Sequence, residues 1–120
     1  MAEREYVLGT GNDELMRLAQ QHRLWSDAAV QAWQRAGLAP GQRVLDVGAG
    51  PGFASFDLAQ MVTSTGAVIA VDESTSFVGY ANEQAQLRGQ PQLRARVGAA
   101  TTWRWRRRCA VGATRAVTRT

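Results

Sequence analysis

The sequence predicts an α/β fold built on a short parallel sheet. Two apolar runs, from Arg43 to Val47 and from Ala67 to Val71, lack the alternation of a half-exposed strand, so we expect strands buried on both faces. Between them, the glycine-free segment from Phe53 to Val62 is long enough for a crossover helix. Strand, helix and strand in this order predict a βαβ unit with parallel strands.

Two helices are predicted before this unit. Asn12 or Asp13 can cap the first, whose apolar residues recur at helical spacing. A second amphipathic stretch begins at about Ser26 and is expected to stop at Gly37. Pro40-Gly41 then predicts a turn into the first strand.

A third helix and a third strand are predicted after the unit. Residues 74–88 place apolar side chains on one helical face, and Gly89 is the expected stop. Residues 93–97 alternate apolar side chains with arginine, which is typical of a half-exposed edge strand. The predicted order across the sheet is therefore third, second and first strand.

The composition bounds the class of protein. A chain of 120 residues with 45% apolar content is expected to form one small domain with a real core. It contains no run of about 18 apolar residues and no apolar stretch near the N-terminus, so we expect a cytoplasmic protein without membrane contact. The single cysteine, Cys109, has no Cys/His cluster around it, and no metal site is expected.

The formal charge of +4 is distributed unevenly. Residues 1–97 hold all ten acids and eight of the fourteen arginines, giving 8 − 10 = −2, whereas residues 98–120 hold six arginines and no acid. We therefore do not expect the domain to bind nucleic acid. The alternative is a nucleic-acid contact through the cluster Trp103 to Arg108, where arginines could meet phosphates and tryptophans could stack on bases.

A glycine-rich loop joins the first strand to the crossover helix. It reads Asp46-Val47-Gly48-Ala49-Gly50-Pro51-Gly52. Glycine has no Cβ, so such a loop can bring backbone N–H groups and a helix N-terminus close to a polar ligand. The dinucleotide fingerprint G-x-G-x-x-G would need its third glycine at Phe53, whereas this chain has G-x-G-x-G.

With an acid two residues before its first glycine, the loop resembles the first motif of class I S-adenosylmethionine-dependent methyltransferases, D-x-G-x-G-x-G. From about Tyr6 to Val97 the chain resembles the small-molecule branch related to ubiquinone and menaquinone methyltransferases. This resemblance implies a Rossmann-like fold, here incomplete, with the N-terminal helices and the first three parallel strands. It also implies an enzyme that uses S-adenosyl-L-methionine to methylate a small molecule.

The resemblance implies a set of cofactor-binding residues, while no catalytic residue is assigned. The first acid would lie near the methionine part, the loop would pass beneath that part, and Asp72 would hold the ribose, because a carboxylate can accept bonds from both hydroxyls. Two further residues would line the adenine side. The full set is Asp46, Gly48, Ala49, Gly50, Gly52, Asp72, Glu73 and Ser74.

Structural interpretations compete with these assignments. Asp46 could be an acid that only caps the neighbouring loop, and Asp72 could merely cap the following helix. Tyr6, His22 and Trp25 lie in a segment that covers the cofactor in the resembled enzymes. For these residues the simpler interpretation is a core aromatic for Trp25, as for Trp33, and a solvated or hydrogen-bonded His22 rather than a general base.

The expected organisation is a helical cap (1–42), a cofactor-binding half (43–97) and a basic tail (98–120). We interpret the tail as a shifted reading frame. With GC-rich codons, another frame of residues 99–109 can encode Gly-Asp-Asp-Val-Ala-Leu-Ala-Ala-Ala-Leu-Arg, restoring an acid near Gly98, where the resembled enzymes bind the adenine amino group.

The altered tail implies a truncated chain with weak or no activity. The alternative function is a non-catalytic cofactor-binding fragment. A missing fourth strand would leave the first strand with an unpaired apolar edge, so self-association through that edge is expected.

Overall fold

A computed structural model describes residues 12–99 in full and the backbone of residues 114–119. The elements in chain order are α1 (Asn12–Arg35), β1 (Arg43–Val47), α2 (Phe53–Val62), β2 (Ala67–Asp72), α3 (Thr75–Leu87), β3 (Leu93–Val97) and β4 (Thr114–Arg119). The strands form one sheet in the order β3-β2-β1-β4, and every neighbouring pair is parallel. The predicted α/β class and the third-second-first strand order are confirmed.

Strands β1, β2 and β3 pair in parallel without a shift of register. Val44 of β1 pairs with Val68 of β2, and Ala70 of β2 pairs with Ala95 of β3. The main core lies between this sheet and the helices α2 and α3, where Leu58 and Val62 have no exposed surface. Burial on this scale, with about 25 cal/mol for each Å² of apolar surface removed from water, holds α2 firmly beside the carboxyl end of β1.

One continuous helix replaces the two helices predicted at the N-terminus. α1 runs from Asn12 to Arg35 without a break. The predicted start at Ser26 was wrong because no glycine or proline interrupts this stretch, and a polar residue alone does not end a helix. The predicted stop is confirmed: Gly37 has φ 90°, and Leu38 N donates to Trp33 O at 3.0 Å in a Schellman-type end.

A fourth strand lies beside β1, contrary to the prediction of three strands. In β4, Thr118 is the register partner of Asp46 in β1. The sequence of β4, TRAVTR, holds three β-branched residues, which favour a strand, but it lies in the segment interpreted as a shifted reading frame, where no element was predicted. The edge of β1 is therefore paired, and the reason given for self-association through it no longer holds.

A side chain of α3 forms hydrogen bonds with the outer edge of strand β3. Asn82 of α3 donates from Nδ2 to Ala95 O at 3.1 Å, and Ala95 N donates to Asn82 Oδ1 at 2.8 Å. One amide side chain thus occupies both backbone groups of Ala95, where a further strand could otherwise add. Within the part of the chain that the structure describes, no helix is both long enough and apolar enough to cross a membrane.

Candidate functional site

The glycine loop lies between β1 and α2, and its three glycines adopt a backbone that other residues rarely take. Gly48, Gly50 and Gly52 have φ of 71°, 59° and 95°. A Cβ on Gly52 would also lie 3.1 Å from the Cβ of Ala81, whereas nothing lies within 4 Å of a Cβ on Gly50. The loop therefore needs glycine for its conformation, and at Gly52 also for close packing against α3.

The amides of this loop bind the protein itself. Gly48 N and Ala49 N donate to Val71 O at 2.8 and 3.0 Å, and Gly52 N donates to Ala49 O at 3.1 Å. We expected these N–H groups to face a ligand, but those of Gly48 and Ala49 fasten the loop to the end of β2, and that of Gly52 bonds within the loop. The loop consequently offers a ligand the close approach of its backbone and the N-terminus of α2.

The carboxylate of Asp72, at the end of β2, forms hydrogen bonds with the loops that follow β1 and β2. Its Oδ1 accepts from Gly50 N at 3.1 Å and its Oδ2 accepts from Ser74 N at 2.9 Å. A carboxylate has about four lone-pair sites, so after these two bonds each oxygen retains capacity for a ligand hydroxyl. The helix cap is Ser74, whose Oγ accepts from Phe77 N at 3.2 Å, so Asp72 does not serve merely as the cap of α3.

The two residues predicted for the adenine side differ in their surroundings. Glu73 is exposed, immediately after the end of β2. Ser74 is half-buried, and its hydroxyl is engaged in capping α3. Both residues therefore follow Asp72 at the same sheet edge, and of the two only Glu73 is exposed.

Asp46 is fully buried at the end of β1. Its Oδ2 accepts from Ser55 Oγ at 2.6 Å, and Ser55 is also without exposed surface. This pair fastens β1 to the first turn of α2, in line with the structural interpretation of Asp46. Its predicted proximity to the methionine part of a cofactor stays a prediction. Sequence reasoning missed Ser55, although a serine in the first turn of an apolar helix was a signal for it.

A cavity of about 450 Å³ lies between the glycine loop and α1. Its floor is formed by Gly48 to Pro51, and Phe53 and Phe77 close further sides. α1 contributes the residues Glu14, Leu18, Gln21, His22 and Trp25. The volume falls in the range of about 300 to 1,000 Å³ that is usual for small-molecule sites.

The surroundings of Trp25 and Trp33 test the prediction that both are core aromatics. Trp25 is 64% exposed and lines the cavity, so the interpretation as a core aromatic was wrong for it. The same interpretation is confirmed for Trp33, which packs against the core. Tyr6 lies outside the described residues, as do Cys109 and the cluster from Trp103 to Arg108.

His22 is hydrogen-bonded, as the simpler interpretation held. Its Nε2 lies 2.7 Å from Asp57 Oδ2 of α2, and its ring stacks on Phe53 with the centroids 6.1 Å apart. Asp57 was not identified from the sequence, because nothing local links residues 35 positions apart. Among residues 12–99, no group of three or more His, Cys, Asp or Glu side chains is arranged to hold a metal ion.

Residues 38–105 match the family model described as a methyltransferase domain. Among curated proteins, the chain is 43% identical over 65 residues to a 2-phytyl-1,4-naphtoquinone methyltransferase of Synechococcus elongatus, covering 54% of this chain and 27% of that protein. It is 35% identical over 68 residues to a ubiquinone/menaquinone biosynthesis C-methyltransferase of Cellvibrio japonicus, covering 57% and 26%. The chain thus spans about a quarter of the length of these relatives.

Solved structures give a consistent result. A SAM-dependent methyltransferase from Aquifex aeolicus superposes with a TM-score of 0.58 at 31% identity, covering 62% of this chain and 39% of that one. A coclaurine N-methyltransferase bound to N-methylheliamine and SAH superposes with a TM-score of 0.58 at 30% identity, covering 63% and 22%.

Proposed function

Because the chain belongs to the methyltransferase domain family, which uses S-adenosyl-L-methionine as its cofactor, we propose that residues 43–97 bind this cofactor and that the protein methylates a small molecule. Residues 1–42 would then be the cap over the site. Bound S-adenosylmethionine supplies an electrophilic methyl group, and S-adenosylhomocysteine is left after transfer.

The observation that carries this proposal is the position of Asp72. Its carboxylate holds Gly50 of the loop and Ser74 of the next loop at the carboxyl edge of the sheet, where α/β folds bind nucleotides. Asp72 would hold the ribose, the loop residues Gly48 to Gly52 would support the methionine part, and Glu73 and Ser74 would lie beside the adenine. Asp46 would act by holding the loop.

The cavity under α1 would hold the methionine part of the cofactor against the glycine loop and the acceptor beside it. The cavity walls are mainly apolar and include Leu18, Trp25 and Phe77, which suits an apolar or aromatic molecule. The names of the curated relatives, which concern quinones, agree with this class. Catalysis would rest on holding the acceptor in line with the methyl group and on excluding water, because alignment supplies most of the effect in a direct displacement.

Two other functions have less support. A non-catalytic cofactor-binding fragment is consistent with the share of the relatives that the chain spans, and on this view the 120 residues have weak or no turnover. Nucleic-acid binding through Trp103 to Arg108 concerns residues outside the described part. A salt-dependent affinity for nucleic acid, lost when residues 98–120 are deleted, would favour it.

Calorimetric titration tests the proposal. We expect S-adenosylmethionine and S-adenosylhomocysteine to bind, and NAD to bind far more weakly. Asp72→Ala should reduce affinity by about tenfold to a hundredfold, since hydrogen bonds to a charged group contribute about 1.5 to 3 kcal/mol. Asp27→Ala, an exposed acid on α1, is the matched control. Preferential binding of NAD, or unchanged affinity in Asp72→Ala, would contradict the assignment.

The division of the chain at Val97 and the shifted frame of residues 98–120 also remain proposals. The family match continues to residue 105, past the proposed boundary. Resequencing the gene decides the matter. We expect a single-base change to open a longer methyltransferase frame, and the absence of any such frame would end this proposal.

A further inference from the structure

His22 and Asp57 form a pair that the proposed cofactor contacts do not use. The Nε2 and Oδ2 atoms are 2.7 Å apart, and the side chains are 22% and 29% exposed. His22 lines the cavity between α1 and the glycine loop, whereas Asp57 is not among the lining residues. The imidazole therefore lies between the cavity and the carboxylate that binds it.

The contacts of His22 specify how its ring is held. A carboxylate oxygen only accepts, so this hydrogen bond places the proton of a neutral imidazole on Nε2 and leaves the lone pair on Nδ1. The stacking of Phe53, the first residue of α2, limits rotation of the ring. An imidazole oriented in this way by a carboxylate is the arrangement of a general base.

We propose that His22, positioned by Asp57, accepts the proton of an aromatic hydroxyl group on the methyl acceptor. This inference rests on the proposed function and specifies its substrate class. The O–H bond breaks, its proton goes to Nδ1, and the oxygen electron pair forms the bond to the methyl carbon while the carbon–sulfur pair stays on sulfur. Asp57 then stabilises the imidazolium.

The chemistry of the cavity favours a phenol over an aliphatic alcohol. A phenolic hydroxyl has a pKa of about 10, well below that of an aliphatic alcohol, so its proton is the easier one to transfer to a base. Trp25 and Phe77 give the cavity aromatic walls on which such a ring can stack. Glu14 also lines the cavity and is the rival proton acceptor, which a test must separate from His22.

The experiment uses p-nitrophenol, which absorbs visible light only as the phenolate, with the full chain saturated with S-adenosylhomocysteine. At about one pH unit below the pKa of the free phenol, roughly a tenth of it is ionised in solution. We expect the ratio of ionised to neutral phenol to rise about tenfold on binding to the wild type and to return to the solution value in His22→Gln. Asp57→Asn should give an intermediate value, and Glu14→Gln should keep the raised ratio.

Controls distinguish a failure of the proposed function from a failure of the inference about His22 alone. Asp27→Asn makes the same chemical change as Asp57→Asn at an exposed site of α1, and circular dichroism checks that α1 persists in each variant. Failure of S-adenosylhomocysteine to bind would refute the proposed function, and this inference with it. Normal cofactor binding combined with an unchanged ratio in His22→Gln, loss of the raised ratio in Glu14→Gln, or no binding of the phenol would overturn the inference alone.

Discussion

The Oδ1 of Asp72 accepts a hydrogen bond from the amide of Gly50 at 3.1 Å. This bond ties the end of β2 to the loop after β1, and the other oxygen of the same carboxylate accepts from Ser74 N at 2.9 Å. The acid proposed to hold the ribose thus also shapes the loop proposed to support the methionine part. Loop geometry and cofactor affinity should therefore respond together to a change at this position.

Asp72→Asn should impair both roles, to different extents. Asparagine keeps one carbonyl oxygen but loses the charge and the second acceptor, so one of the two backbone amides loses its partner. We expect the free energy of unfolding without ligand to fall by about 1 kcal/mol, and cofactor affinity to fall further. Urea unfolding and calorimetry measure the two effects. If stability falls while cofactor affinity is unchanged, the role of Asp72 is confined to the loop.

The buried pair of Asp46 and Ser55 should contribute mainly to stability. Ser55→Ala removes a donor at 2.6 Å and leaves a carboxylate oxygen in the interior short of one partner. We expect the free energy of unfolding to fall by about 1 to 3 kcal/mol. Ser64→Ala, in an exposed turn, should change it by less than about 0.5 kcal/mol. Equal values for the two variants would show that the bond contributes nothing.

Local sequence signals were sufficient to predict the parallel βαβ unit and the glycine loop. The apolar runs of β1 and β2 and the glycines of the loop each predict a conformation over a few residues. The His22–Asp57 pair and the Ser55 bond to Asp46 depend on how helices pack, which no short segment specifies. The predictions for α1 and β4 were wrong for a different reason, because Ser26 was taken as the start of a second helix and no element was predicted in the segment interpreted as a shifted reading frame.

Two glycines of the loop should differ in their tolerance of alanine. Gly50→Ala meets nothing within 4 Å and should cost only the left-handed backbone, about 1 to 2 kcal/mol. Gly52→Ala adds a Cβ at 3.1 Å from Ala81 and 3.3 Å from Phe56, both of which face it from packed helices. We expect it to lower the free energy of unfolding by at least about 1 kcal/mol more than Gly50→Ala does. Urea unfolding of the two variants in parallel measures the difference, and the opposite ranking would contradict the packing at Gly52.

Asn82 should protect β3 from pairing with another chain. Its side chain occupies both the N–H and the C=O of Ala95, so Asn82→Ala would leave that backbone position without its two partners. Unpaired strand edges recruit other strands, and we therefore expect concentration-dependent association in this variant, measured by light scattering. Glu83→Ala changes the exposed neighbour on α3 and should scatter like the wild type. Association to the same extent in wild type, Glu83→Ala and Asn82→Ala would place the self-associating surface somewhere other than β3.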